Sequence, residues 1–294
     1  MPRDRDRAPV GCLSIWDPIH LGIDEAGHQV SISLIERNLL IGGEPGAGKS
    51  NALNLIVAHA ALSTDCRLVL VDGKQVELGP WRESADLFVG PDPDEAITVL
   101  RDLRSNELNA RYDRLVSARP IQRKIRRDGP DQVIVIVIDE LAYFSATAGT
   151  KKQQDEFTTL LRDLVARGRA AGFIMIVATQ RPSADVVPTS FRDLFGYRWA
   201  FRCSTEASSD TILGHGWANQ GYAATDIDPL ARGVGWLLAE GGIPRRVKAA
   251  YLADADIDYL AGFAAWCRQT HVPSPRTGSD TYVSTSTGTS ELTT

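Results

Sequence analysis

The chain has 294 residues, 43% of them hydrophobic and 23% charged, with a formal charge of −5 and a pI near 5.6. This is ordinary globular composition, with enough apolar material for one large α/β domain or two small ones. The acidic total excludes a globally basic nucleic-acid binder, so a DNA partner would have to be held by a local patch.

Four cysteines, Cys12, Cys66, Cys203 and Cys267, stand far apart and form no C-x-x-C pair. They read as buried, reduced thiols of a cytoplasmic protein and not as a metal or redox site. No apolar run approaches the ~20 residues of a membrane span. Met1 to Arg7 carries charges with no apolar segment behind them, so it is not a secretory signal. Any recruitment to a membrane is expected to run through a partner protein.

Residues 1–18 read as a flexible lead-in. Leu21–Asp24 and Val30–Leu34 alternate around Glu25-Ala26-Gly27, the pattern of a β-hairpin packed beside a larger core. Asn38-Leu39-Leu40-Ile41 is a short buried strand, and Gly43-Glu44-Pro45-Gly46-Ala47-Gly48-Lys49-Ser50 follows it at once. That octapeptide fits G-x-x-x-x-G-K-[ST], the phosphate-binding loop. From Asn51 to Leu62 the spacing is helical, with Leu53, Ile56, Val57 and Ala60 on one face. A strand that feeds a glycine-rich turn into a helix aims backbone N–H groups at an anion. Residues 43–51 are therefore expected to bind ATP, with Lys49 on the β- and γ-phosphates and the Ser50 hydroxyl on Mg²⁺.

Arg67–Asp72 is a second core strand ending in an acid, and 94–116 is a long helix. Residues 119–127 form a basic loop (Arg119, Arg123, Lys124, Arg126, Arg127), readable as a solvated connection or as a phosphate-contacting patch. Val133–Ile138 is continuous and β-branched, as in a strand covered on both faces of a parallel sheet. Asp139-Glu140 follows it directly. At a strand tip facing the phosphate loop, Asp139 would hold Mg²⁺ and Glu140 would polarise the attacking water. The plain alternative is a strand that ends in surface acids.

A helix is expected over 153–171, and another buried strand over Phe173–Ala178. That strand exits through Thr179-Gln180-Arg181-Pro182. Where an additional strand lies between the phosphate-loop strand and the acid-bearing strand, its tip can sense the γ-phosphate. Thr179 and Gln180 suit that role, with ordinary strand-end capping as the alternative. Three later strands (197–202, 233–239, 246–252) and a helix over 255–267 complete residues 19–271 as one domain. Residues 272–294 are Ser/Thr-rich and expected to be disordered. Strands alternating with helices give an α/β, doubly wound, mostly parallel sheet.

These segments together resemble the FtsK/SpoIIIE family of hexameric DNA-pumping ATPases. The residues that carry the resemblance are Leu21 to Leu34, Gly43 to Ser50, Val71-Asp72-Gly73-Lys74 with Glu77-Leu78, Arg111-Tyr112 and Ile138-Asp139-Glu140. It continues through Arg167-Gly168-Arg169-Ala170-Ala171-Gly172, Ala178 to Ser183, Ala200-Phe201-Arg202 and Thr211-Ile212-Leu213. Ile212 to Ala218 and Gly233 to Leu238 are similar to the actinobacterial conjugative Tra (TraB/TraSA-type) branch, which moves double-stranded plasmid DNA.

The resemblance implies a RecA-like motor with parallel strand order 5-1-4-3-2, the phosphate-loop strand being first. Double-stranded DNA is the implied partner, a homo-oligomeric ring the implied assembly, and ATP with Mg²⁺ the cofactors. It implies that Arg169 is supplied to the neighbouring subunit's ATP; a solvated helix-end charge, or Arg167 in the same role, is the alternative. It implies DNA contacts at Arg181 and Arg192. Glu206 and Asp210 depart from the family, falling where duplex pumps carry Lys or Arg, so the second pore loop is expected to grip DNA differently. On this reading no membrane anchor is expected ahead of the motor, and no module that reads orienting DNA sequences is expected after it, since too few ordered residues follow Leu252. The rival readings are a secretion ATPase of the same superfamily acting on protein, and a ring-forming nucleotide-binding scaffold.

Overall fold

The computed structural model describes residues 12–270. Ten strands among them form a single sheet in the order β2-β1-β10-β9-β8-β3-β7-β6-β4-β5. Its centre is parallel: β3 (Leu39–Gly42), β4 (Cys66–Val71), β5 (Leu87–Val89), β6 (Val133–Ile138), β7 (Phe173–Thr179) and β8 (Tyr197–Phe201). With β3 counted first, β8-β3-β7-β6-β4 is the expected 5-1-4-3-2. The three-residue β5, on the outer side of β4, was not expected.

The other flank is antiparallel: β9 (Val234–Ala239), β10 (Arg245–Ala249), β1 (Ile19–Asp24) and β2 (Gln29–Ile32). The N-terminal hairpin is thus not a separate flap. Through pairing of β1 with β10 it extends the main sheet.

Period-2 alternation divides the central strands between two cores. Val133, Val135, Val137, Ile174 and Ile176 face one side, where α1 (Lys49–Leu62) lies. Ile134, Ile136, Ile138, Phe173, Met175 and Val177 face the other. That second side is covered by α2 (Pro93–Asp102), α3 (Asn109–Ser117) and α4 (Lys151–Arg167). A π-helical turn, Leu103–Leu108, joins α2 to α3, so the long helix expected over 94–116 is continuous but underwound at its middle. Short helices α5 (Thr189–Arg192) and α6 (Glu206–Leu213) flank β8. The last helix, α7 (Asp254–Thr270), turns Ala261, Ala264, Ala265 and Cys267 inward. These small side chains let it lie close over α1, which is consequently buried almost all round.

Two boundaries differ from expectation. Helix α4 opens on a Thr150/Gln153 capping box and stops at Arg167 instead of running to 171. Residues Gly168–Ala171 form a tight 3₁₀ turn, because Gly168 packs where a Cβ would lie 2.6 Å from that of Phe173. Of the lead-in expected over 1–18, residues 1–11 lie outside the described residues, as does the tail expected over 272–294. Residues 12–18 run against α1: Ile15 is buried, and Asp65 accepts from the Ser14 hydroxyl (2.5 Å) and the Ile15 N–H (2.9 Å). Among the described residues no helix is long and apolar enough to cross a membrane.

Candidate functional site

Parallel register brings the sequence motifs to one edge. Gly42 pairs with Thr179 on one side and with Ala200 on the other, and Ile138 lies between Val71 and Val177. The C-terminal ends of β3, β7, β6 and β4 therefore deliver Gly43, Thr179-Gln180, Asp139-Glu140 and Asp72 side by side. Crevices at this edge are where open α/β sheets bind ligands.

The phosphate-type loop is braced from behind. Glu44 N–H donates to the Arg202 carbonyl (2.9 Å), its carboxylate pairs with the Arg202 guanidinium, and the Ala47 carbonyl accepts from Gly233 N–H (2.9 Å). Gly48, at φ 106°, lies so close to the chain of β9 that a Cβ would sit 2.5 Å from Gly233 N. Gly46 differs: it too has positive φ (77°), but open space lies over it. Pro45 and Gly46 form the exposed crest of the loop. Its outer face is free to meet a ligand while its inner face is fixed.

Inside that edge the charges are concentrated. Lys49, Asp139 and Glu140 are all buried, and Asp72 is fully so. Burial lowers the Lys49 pKa, opposed by Glu140 and Asp139. Burial also pushes Asp139 up from 3.8 to about 7, assisted by the negative charges of Asp72 and Glu77. An excess of carboxylates pressed around one buried ammonium is a donor set that a hard divalent cation would relieve.

Glu140 is held in place by the next strand. Its carboxylate accepts from the Thr179 hydroxyl (2.8 Å) and from Gln180 N–H (2.9 Å). The tip of the additional strand, expected as a γ-phosphate sensor, is thus wired directly to the acid expected as the base. Lys74 stands 3.8 Å from the same carboxylate.

Other expected residues lie elsewhere. Both ends of the Asn51 amide, expected with the phosphate binders, are engaged away from the loop, on the Ala250 carbonyl and Leu252 N–H. This side chain fastens the segment after β10 to α1. Arg169 sits on the turn before β7, at the opposite edge of the sheet. Seven strand residues separate it from Gln180, about 20 Å at strand rise. Its Nε donates to the Glu36 carbonyl (2.6 Å), and its guanidinium approaches Glu240 (3.5 Å). Arg167 instead pairs with Asp163 (3.1 Å) on its own helix.

Arg181 is exposed and pairs with Asp185 (2.9 Å). Arg192 is a correction: expected on a DNA-facing loop, it is buried, its guanidinium committed to Asp193 (2.9 Å) and the Asp210 carbonyl (3.2 Å). Asp210 likewise turns inward, accepting from Gly216 N–H (3.0 Å) and Ala218 N–H (3.2 Å) to shape the loop after α6. In the basic loop, Lys124, Arg126 and Arg127 pair with Glu36, Asp128 and Asp17, and Arg119 covers the carbonyls of residues 116–118.

Residues that motif reading did not single out complete the frame. Asn54 donates to the Ser50 carbonyl (2.9 Å) and to Glu77 (2.7 Å), and accepts from the Trp81 indole (2.7 Å). Arg111 is buried, and one Nη donates to both the Gln132 and Ala171 carbonyls (2.8 Å each). Tyr112 bonds the Arg167 carbonyl (2.5 Å) and Ile125 N–H bonds the Ala170 carbonyl (2.9 Å). The turn that carries Arg169 is therefore clamped from three sides. Arg111, Tyr112, Lys74 and Glu77 lie in segments that carry the family resemblance, which was the available signal.

A glycine loop between strand and helix, and an acidic pair one strand beyond an inserted strand, define a P-loop NTPase of the additional-strand, catalytic-glutamate class. Comparison with known proteins narrows this. Residues 4–128 match the FtsK/SpoIIIE family. A "DNA translocase FtsK" of Staphylococcus epidermidis is 30% identical over 264 residues, covering 83% of this chain and 32% of that protein. The conjugation coupling protein TcpA of pCW3, solved with ATPγS, superposes with a TM-score of 0.71 at 20% identity, covering 89% of this chain and 75% of its own. The cytoplasmic domain of the Type VII secretion ATPase EccC of Thermomonospora curvata gives 0.67 at 20% identity, with 85% and 31% covered. The chain is thus similar to the FtsK/SpoIIIE family, in the family match over residues 4–128 and in the translocase match over most of its length. It spans about a third of the length of the curated relatives it matches.

Proposed function

We propose that the chain is an ATP-hydrolysing motor that drives double-stranded DNA through a homo-oligomeric ring, in conjugative transfer of a plasmid or integrative element. The observation that carries the reading is the gathering of Lys49, Asp139, Glu140 and Thr179 around the glycine loop, while Arg169 stands at the opposite edge. The relatives named DNA translocase, and the similarity to the Tra branch, supply the cargo and the setting.

In this reading the loop's N–H groups and Lys49 bind the ATP phosphates, and the Ser50 hydroxyl and Asp139 carboxylate hold Mg²⁺. The hard oxygen donors and the carboxylate excess fit that ion. An ion held by Ser50 and Asp139 would supply positive charge against the negative charge that develops on phosphoryl transfer. Glu140, aimed by Thr179 and Gln180 N–H, takes the proton of the attacking water. Gln180 reports on the γ-phosphate through the same wiring, because its backbone moves with Glu140. Arg169 of one subunit offsets charge on the phosphoryl group bound by the next. Arg181, the exposed cation after the sensor strand, contacts the DNA backbone.

The test is triplex displacement on linear duplex DNA. ATP-dependent displacement by wild type, lost in Glu140→Gln, supports the reading. ATP hydrolysis stimulated by a polypeptide and not by duplex would move the cargo to protein. Ring assembly without any turnover would leave a scaffold.

A further inference from the structure

Lys74 lies in the loop that joins β4 to the 3₁₀ turn at Gly79–Ser84. This loop is built to present it. The fully buried Asp72 carboxylate accepts from the N–H groups of Lys74 (2.9 Å), Gln75 (2.8 Å) and Leu78 (2.8 Å). Gly73 packs on the Tyr143 ring, where a Cβ would be 2.4 Å from Cδ1, and Tyr143 lies one turn past Glu140. Glu77 is tied by Asn54 to the Ser50 carbonyl, so the far end of the loop is anchored to α1. Three anchors fix the backbone, and the Lys74 ammonium is left 3.8 Å from Glu140 Oε2.

The Glu140 carboxylate is 8% exposed and the Lys74 side chain 44%. Of the groups holding Glu140 among the described residues, the Thr179 hydroxyl and the Gln180 and Ala142 N–H groups belong to its own strand ends and helix start. Lys74 is the one that solvent reaches and that a change of rotamer can withdraw. A carboxylate facing a cation and three hydrogen-bond donors is pinned in one orientation and is less free to turn toward a water. Lys49, Asp139, Asp72 and Glu77 complete the charged surroundings.

We propose that Lys74 is a positioning residue that restrains Glu140 in a resting ion pair, so that hydrolysis speeds up when the ammonium is withdrawn. This rests on the reading of Glu140 as the base. In the full chain without DNA, Lys74→Gln is expected to raise basal kcat for ATP by up to about fivefold, the rate equivalent of a half-exposed ion pair. KM should stay within about twofold, since the pair is made to Glu140 and not to the loop. Lys74→Arg should restore the wild-type kcat. A kcat that is unchanged or lower in Lys74→Gln, or a raised KM, overturns the restraint, provided Glu140→Gln is inactive. If Glu140→Gln remains active, the base assignment itself has failed.

Discussion

Asp139 offers a test of the site that needs neither nucleotide nor DNA. Its pKa is pushed from 3.8 to about 7, first by burial and then by the charges of Asp72 and Glu77. A carboxyl group raised in the folded state contributes most stability below its unfolded pKa, where it is protonated in both states. That contribution is lost as pH rises through the folded value. Between pH 5 and pH 8 the loss amounts to about 2–3 kcal/mol, and above pH 8 it levels off near 4 kcal/mol. Asp139→Asn keeps the shape and removes the ionisation, so it should gain on wild type by this amount across the interval. The measurement is urea unfolding of both proteins at pH 5, 6, 7 and 8, without Mg²⁺. A stability gap that changes by less than about 0.5 kcal/mol over that range would refute the argument. The mutant should also lose Mg²⁺-dependent ATP hydrolysis, the usual exchange of stability for function at a site of crowded charge.

Lys49→Ala removes a buried cation and no apolar packing, so unfolding midpoints should not fall, while kcat/KM for ATP falls by at least about a hundredfold. Near-normal turnover would remove this loop as the nucleotide site. Glu140→Gln should bind Mg·ATP normally and hydrolyse it about 10²–10⁴-fold more slowly; an equal loss of binding would make Glu140 structural. Arg111→Met strands the Gln132 and Ala171 carbonyls and should cost about 3–5 kcal/mol, read as a melting point lowered by about 10 °C. Arg169→Ala should keep ATP binding, lose DNA-stimulated hydrolysis by ~10³ or more, and recover part of it when mixed with Lys49→Ala subunits. No recovery in mixed oligomers shown to assemble would end the trans assignment.

What could be read from the chain was what local spacing determines. The β-branched run at 133–138 has to be covered on both faces, and the phosphate-loop pattern requires a strand before it and a helix after. The order of the central strands is not in that spacing; it comes from the resemblance to the family. Three kinds of feature escaped. β5 is three residues long and is a strand only because β4 lies beside it. Gly168 ends a helix whose periodicity runs on, and the reason is the close approach of Phe173, which no helical pattern contains. The third kind is the fate of a charge. Arg181 and Arg192 look alike in sequence, eleven residues apart in the segment after the inserted strand. One is exposed on a loop, and the other is buried against Asp193 and the Asp210 carbonyl. Asp210 escaped for the same reason, since its carboxylate is spent on the loop after α6 and not on a pore.

In the proposed motor, the two edges of the sheet would leave one subunit an incomplete enzyme. The residues proposed to bind ATP and activate water converge where the parallel strands end, and the glycine loop there is braced so that only its crest is open. Arg169 lies where the same strands begin. Its turn is clamped by Arg111, Tyr112 and Ile125, so its backbone has no freedom to fold back about 20 Å toward its own loop. Its guanidinium rests on Glu240 (3.5 Å), which also lies within 4.0 Å of Arg37. A carboxylate shared by two half-exposed cations is a weak hold, and a triphosphate presented by another subunit is the stronger anion. The stiffness of the turn and the looseness of its ion pair thus work in the same direction. In the proposed ring they would keep the cation on the outside of its own subunit and available to the next.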